Sequence, residues 1–182
     1  MSICGRVKMA EQKNAMQKNL KGKSFKFGDD ISTDLIAPGR YFHLRSNMPE
    51  LAKHVLEDAD IEFAQKVKQG DFIAAGKNFG LGSSREHAPA IIKLAGVGAV
   101  LAKSFARIFF RNSINIGLPV LICDTDKISE NDELEIDLGR GLIKNKTKNI
   151  ELSFKALPDV MIKLLNDGGL VEHITKNKGF NL

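Results

Sequence analysis

The sequence predicts an α/β fold, and two observations carry that expectation. From Asp71 onward short apolar runs alternate with helical patterns, the order that builds a partly parallel sheet with helices packed on it. Beyond Leu134 short strand patterns succeed one another around a Gly139-Arg140-Gly141 turn, which makes the C-terminal part β-rich. Taken in order, residues 24–27 read as a short strand, and the polar, turn-rich stretch 28–33 places Asp34 at a loop edge before Leu35 and Ile36. Residues 48–57 read as a helix with Pro49 in its first turn and Leu51, Val55 and Leu56 on one face. Strands over 72–75, 99–102 and 120–122 then alternate with helices over 87–94 and 105–112. Strands over 134–138, 142–143 and 150–154 follow, and a helix over 158–166 ends at Gly168-Gly169. With no internal repeat and no low-complexity linker, residues 23–182 read as a single domain. Residues 1–22 form an N-terminal extension that need not be ordered.

Composition narrows the function classes. A chain of 182 residues with 43% hydrophobic and 27% charged content suits one domain with a core and a charged surface. The longest apolar run, around residues 95–102, falls far short of the roughly 20 residues that span a bilayer, so no membrane contact is expected. The first twenty residues carry scattered lysines and no signal-peptide core, which points to the cytoplasm. Cys4 and Cys123 are widely spaced, read as reduced thiols, and are too few to hold an iron–sulfur cluster or a structural zinc. The formal charge of +5 is spread along the chain rather than gathered into a stripe with interleaved aromatics, so nucleic acid is not expected as a partner. A net positive field does favour the approach of di- or tricarboxylates, modestly and in a salt-sensitive way.

The run Gly80-Leu81-Gly82-Ser83-Ser84-Arg85-Glu86-His87 carries the chemistry. Two glycines let the backbone come close to a ligand, a following helix has N–H groups without internal partners, and Arg85 offers a planar fork for a carboxylate. The motif therefore suits a small acid. Taken alone, a glycine-serine turn before a helix is as often a loop with an N-cap: Ser83 then caps, Ser84 donates from the second turn, and Arg85 pairs with Glu86 or another acid. Neither a phosphate loop nor a dinucleotide fingerprint fits, because no Gly-Lys-Ser/Thr closes the turn and no third glycine stands three residues after Gly82. Glu86 and His87 read as capping and core hydrogen-bonding residues, with no metal ligation by His87.

Three separated motifs resemble one family. They are Gly82-Ser83-Ser84-Arg85-Glu86-His87-Ala88-Pro89, the earlier Gly28-Asp29-Asp30-Ile31-Ser32-Thr33-Asp34-Leu35-Ile36-Ala37-Pro38-Gly39-Arg40-Tyr41, and the later Ala102-Lys103-Ser104-Phe105-Ala106-Arg107-Ile108-Phe109-Phe110-Arg111-Asn112 continuing to Pro119. Together they resemble the small subunits of 3-isopropylmalate dehydratase, within the aconitase superfamily, over residues 23–174. The resemblance implies a three-layer β/β/α swivelling domain like the aconitase C-terminal domain. It also implies a hydro-lyase that moves a hydroxyl to the neighbouring carbon by dehydration and rehydration, in leucine biosynthesis. A 4Fe-4S cluster would sit on a large partner subunit, none on this chain, and this chain would be inactive alone.

Carried over by position, Ser83 is the base, Ser84 and Arg85 bind a substrate carboxylate, and Asp34 lies near the site, where it orders the arginines or the serine. As a plain residue, Asp34 in Ser32-Thr33-Asp34 is equally an Asx-turn former. Arg45, in Tyr41-Phe42-His43-Leu44-Arg45-Ser46, resembles a substrate-contacting arginine once one extra residue is allowed in the loop, and His43 reaches toward the same place or is simply exposed. Leu81 departs from a cysteine common in relatives. Arg107 and Arg111, at i,i+4, read as structural support. A related enzyme acting on homoaconitate, citramalate or a dimethylated malate is the alternative, and a stand-alone carboxylate-binding module is the alternative from another class.

Overall fold

The computed structural model describes residues 19–179. Strand β1 (Asn19–Lys26) divides its length between two neighbours. Its first part, Asn19 to Lys23, pairs antiparallel with β5 (Glu133–Asp137), and its last part, Ser24 to Lys26, pairs parallel with β2 (Phe72–Ala75). With β3 (Ala99–Ala102), β4 (Val120–Ile122), β6 (Leu142–Asn145) and β7 (Ile150–Ser153) the sheet has, among the described residues, seven strands in the order β4-β3-β2-β1-β5-β6-β7. The β4 to β1 half is parallel and the β1 to β7 half antiparallel. The strand expected over residues 24–27 is thus only the second part of β1, and Asn19 to Gly22, assigned to the extension, lie in the sheet. The remainder of that extension, residues 1–18, lies outside the described residues, as does Cys4.

The layering follows from alternation. Strands β2 and β3 are buried along their whole length, as a sheet covered on both faces requires. Phe72, Ala74, Ala99, Leu101 and Leu121 face one core, shared with Leu134, Ile136, Ile143 and Leu152 of the antiparallel half, so that half folds back over the parallel half. Ile73, Ala75, Val100, Ala102 and Val120 face a second core, shared with the helices. The result is antiparallel sheet, parallel sheet and helices, three layers with a core at each junction.

Seven helices are described: α1 (Thr33–Ile36), α2 (Met48–Ala52), α3 (Phe63–Lys66), α4 (His87–Leu94), α5 (Arg107–Asn115), α6 (Asp159–Asp167) and α7 (Leu170–Asn177). Two depart from the sequence expectation for tertiary reasons. Residues 48–57 are helical only to Ala52, because the Leu56 N–H donates to the Ile36 carbonyl and Leu56 turns to φ 57°. Helix α5 starts at Arg107 rather than Phe105, because residues 104–106 run beside Phe79: Phe79 N–H donates to Ser104 O and Ala106 N–H to Phe79 O. Helix α6 begins after Pro158 and ends at Gly168, which takes φ 97°, the left-handed cap expected of that Gly-Gly pair. Helices α1, α3 and α7 were not foreseen, and Asp34, expected at a loop edge, lies in the first turn of α1 because Ser32 caps that turn. No helix among the described residues is long and apolar enough to cross a membrane.

Candidate active site

The motif loop is stitched to the loop before α1. Gly80 N–H donates to Ile31 O at 2.7 Å and Thr33 N–H to Leu81 O at 2.8 Å, and Ser32 and Leu81 form an isolated parallel bridge. Gly80 holds φ 78° and Gly82 φ 107°, left-handed values that favour glycine. One turn later the Ser83 N–H donates to Thr33 Oγ1 at 3.1 Å. Ser32 caps α1 by accepting from the Leu35 N–H, which fixes Asp34 in the first turn. These local choices set Asp34 beside Arg85, with Arg85 Nη1 at 2.5 Å from Asp34 Oδ1.

Arg85 Nη1 also donates to the Ala37 carbonyl at 3.2 Å, and the guanidinium lies 5.9 Å from the centroid of Phe42. The rest of its donor fork has no acceptor among the described residues, so it can still grip a carboxylate. Asp34 keeps 64% of its side-chain surface in water, so the pair orients the guanidinium more than it stabilises the fold.

An open concavity of about 650 Å³ lies here, walled by Gly39 and Phe42 on one side and by Ser83, Ser84, Arg85, Glu86 and His87 on the other. Ser83 and Ser84 are exposed in it. Neither serine caps α4: the N-cap is Glu86, which makes no side-chain capping bond, so the capping expectations for Ser83 and Glu86 fail. The N–H groups of Ser84, Arg85 and Glu86 have no acceptor among the described residues. Free donors therefore come from the loop ahead of the helix and from His87 at its first position, while Ala88 N–H is bound to Arg85 O and Pro89 has none.

His87 overturns the expectation of core hydrogen bonding. Its Nδ1 is buried without a partner among the described residues, and its ring meets Phe42 edge-on at 6.3 Å. Arg45 holds its guanidinium 4.7 Å from the Phe42 ring centroid and does not itself line the concavity. His43 is exposed and lies against Arg40 O at 3.2 Å, also outside it. Arg107 and Arg111 are exposed on α5.

Sequence reasoning did not find Phe42, Thr33 or Glu57. The first two act through contacts between distant segments that leave no local pattern. Glu57 lies behind the Gly39–Leu44 turn of 3₁₀ helix, where it accepts from Arg40 and Tyr41 and meets His54. Those bonds, that of His54 foremost, hold its carboxyl down at about 2. As for metal, no group of three or more His, Cys, Asp or Glu among the described residues is placed to hold an ion. Cys123 is buried, and burial pushes its thiol up to about 12, away from the thiolate a metal requires.

The model of the aconitase C-terminal domain family matches residues 8–125. The chain is 67% identical over 156 residues to 3-isopropylmalate dehydratase small subunit 2 of Archaeoglobus fulgidus, covering 86% of this chain and 94% of that relative. It is 58% identical over 162 residues to small subunit 1 of the Thermotoga maritima dehydratase, covering 88% and 98%. Among solved structures, 3-isopropylmalate dehydratase from Methanocaldococcus jannaschii superposes with a TM-score of 0.84 at 47% identity, over 88% of this chain and 96% of that one. The three-layer architecture is thus that of the family, and the chain belongs to the aconitase C-terminal domain family, among the 3-isopropylmalate dehydratase small subunits.

Proposed function

We propose that this chain is the cytoplasmic small subunit of a hydro-lyase that interconverts 2-isopropylmalate and 3-isopropylmalate in leucine biosynthesis, working with a large subunit that bears a 4Fe-4S cluster. The observation that carries the reading is the convergence of Ser83, Ser84 and Arg85 in one open concavity, with Arg85 tied to Asp34. A wall this open needs a second surface to exclude water, and the names of the relatives supply one, since a small subunit has a large counterpart. When bound, the partner's cluster supplies a Lewis acid for the departing hydroxyl.

What this chain contributes is the proton and the grip. A hydrogen on carbon beside a carboxylate is hard to remove, and a serine hydroxyl is a poor base unless its alkoxide is surrounded by donors and positive charge. The unclaimed N–H groups of Ser84, Arg85 and Glu86 and the Arg85 guanidinium supply both next to Ser83. Ser83 Oγ takes the proton from carbon, hydroxide leaves the adjacent carbon as the double bond forms, and Ser83 returns the proton when water adds with the opposite placement. Ser84 and Arg85 hold a carboxylate through both halves, Asp34 fixes the Arg85 fork, and Arg45 reaches the substrate from beyond Phe42.

The test is anaerobic reconstitution with the large subunit, followed by turnover on isopropylmalate, homoaconitate, citramalate and dimethylmalate. Ser83→Ala is expected to leave association intact and lower turnover about 10²–10⁴-fold, the contribution of a positioned base. Near-normal turnover in that variant would remove Ser83 from the role.

A further inference from the structure

The Gly39–Leu44 turn contributes Gly39 and Phe42 to the wall of the site and ends at Arg45, yet none of its residues is buried and Pro38 at its start offers no side-chain cap. Tyr41 and Leu44 pack only partly buried against the core. Two neighbouring carboxylates, Glu57 and Asp58, hold the turn from outside it, and Glu57 makes most of the contacts. Glu57 Oε1 accepts from Arg40 Nη2 and from the Tyr41 hydroxyl, both at 2.9 Å, and Glu57 Oε2 lies 2.6 Å from His54 Nδ1. Asp58 takes the other arm of Arg40 at 2.5 Å. The Tyr41 ring stacks on His54 with centroids 3.7 Å apart, and the Arg40 guanidinium lies 4.7 Å from the Tyr41 centroid. Two consecutive residues of the turn are thereby clamped to the segment that follows α2. Phe42, the next residue, lines the wall of the site, with the Arg45 and Arg85 guanidinia 4.7 and 5.9 Å from its ring centroid.

We propose that Glu57 is a positioning residue for substrate selection: by holding Arg40 and Tyr41 from behind, it fixes where Phe42 and Arg45 stand, and so sets which side chain the acid may carry. Glu57 touches no substrate. It acts through the turn, and the inference rests on the functional reading above. The apolar Phe42 face suits a branched alkyl substituent, and Arg45 beyond it suits a substituent that ends in a carboxylate. A small displacement of the turn changes the balance between the two without moving Ser83, whose loop is anchored separately through Thr33 and Ile31.

The experiment uses Glu57→Gln, which keeps the shape and removes the charge, with Glu57→Asp as the conservative variant. In the reconstituted two-chain enzyme, Glu57→Gln is expected to raise KM for isopropylmalate about tenfold, the loss of one charge-assisted hydrogen bond, with kcat within about twofold. The preference for isopropylmalate over citramalate is expected to narrow, and Glu57→Asp to restore part of it. In the full-length small subunit alone, hydrogen exchange of the Arg45 and Asn47 amides, bonded to Phe42 O and Leu44 O, is expected to accelerate while the β2 and β3 amides stay protected. Unchanged exchange at Arg45 and Asn47 in a folded variant overturns the proposal. So does acceleration spread through β2 and β3, or an unchanged KM and preference. If the wild-type pair turns over none of the acids, the functional reading fails by itself, and a turn whose amides are not loosened still counts against Glu57.

Discussion

Replacing Gly80 by alanine tests how the motif loop is held. Gly80 sits at φ 78°, and a Cβ built there would come to 2.2 Å from Phe109 Cγ and 2.5 Å from Phe109 Cβ. The left-handed backbone costs an alanine about 1–2 kcal/mol. Phe109 cannot easily retreat, because it is 2% exposed and packed edge-on against Phe79 at 5.2 Å with Phe105 stacked at 6.3 Å. Forcing a methyl into such a site costs about 1–3 kcal/mol more. The sum, about 2–5 kcal/mol, lowers Tm by roughly 4–20 °C for a domain of this size. Scanning calorimetry of the small subunit measures it. Turnover, taken at a temperature where the variant is still folded, should fall as well, since the Gly80 N–H bond to Ile31 O anchors the loop that ends at Ser83. A Tm within about 2 °C of wild type would refute the account of the loop as sterically locked.

Two further outcomes follow from named contacts. Arg85→Lys keeps the charge beside Asp34 but not the fork that also reaches Ala37 O, so KM is expected to rise about tenfold while Ser83 chemistry is less affected; steady-state kinetics on the reconstituted pair separate the two. Glu57, held at about 2 against its ordinary 4.5 by His54 and Arg40, is a depressed carboxylate. Its stabilisation is fully present above pH 4.5 and disappears as pH falls toward 2, so the difference in urea midpoint between wild type and Glu57→Gln should close over that interval.

The parts of the fold set by local pattern were legible: β2, α4, β3 and β4 fall where apolar runs and turn residues place them, at Phe72–Ala75, His87–Leu94, Ala99–Ala102 and Val120–Ile122. The boundaries that moved did so through bonds to remote backbone, Leu56 to Ile36 and Phe79 to residues 104–106, which no window of sequence contains. The site divides the same way. Ser83, Ser84 and Arg85 are neighbours in the chain, so their shared concavity could be read from a glycine loop, and the Asp34 contact needed only the bridge between Ser32 and Leu81. Phe42, His87 and Glu57 gain their meaning from opposing segments. Arg45 meets the Phe42 ring, a contact between residues three apart on a turn whose position depends on the opposing segment around Glu57.

The shared strand at the start of the described residues has a practical corollary. Asn19 to Lys23 cover one edge of β5, and Ser24 to Lys26 cover one edge of β2, so a version of the protein shortened past residue 18 uncovers backbone donors and acceptors in the middle of the sheet, not at its rim. An interior edge laid bare in this way invites a strand from another copy. Expression vectors that trim this protein from its N-terminal side should therefore keep Asn19 to Lys26.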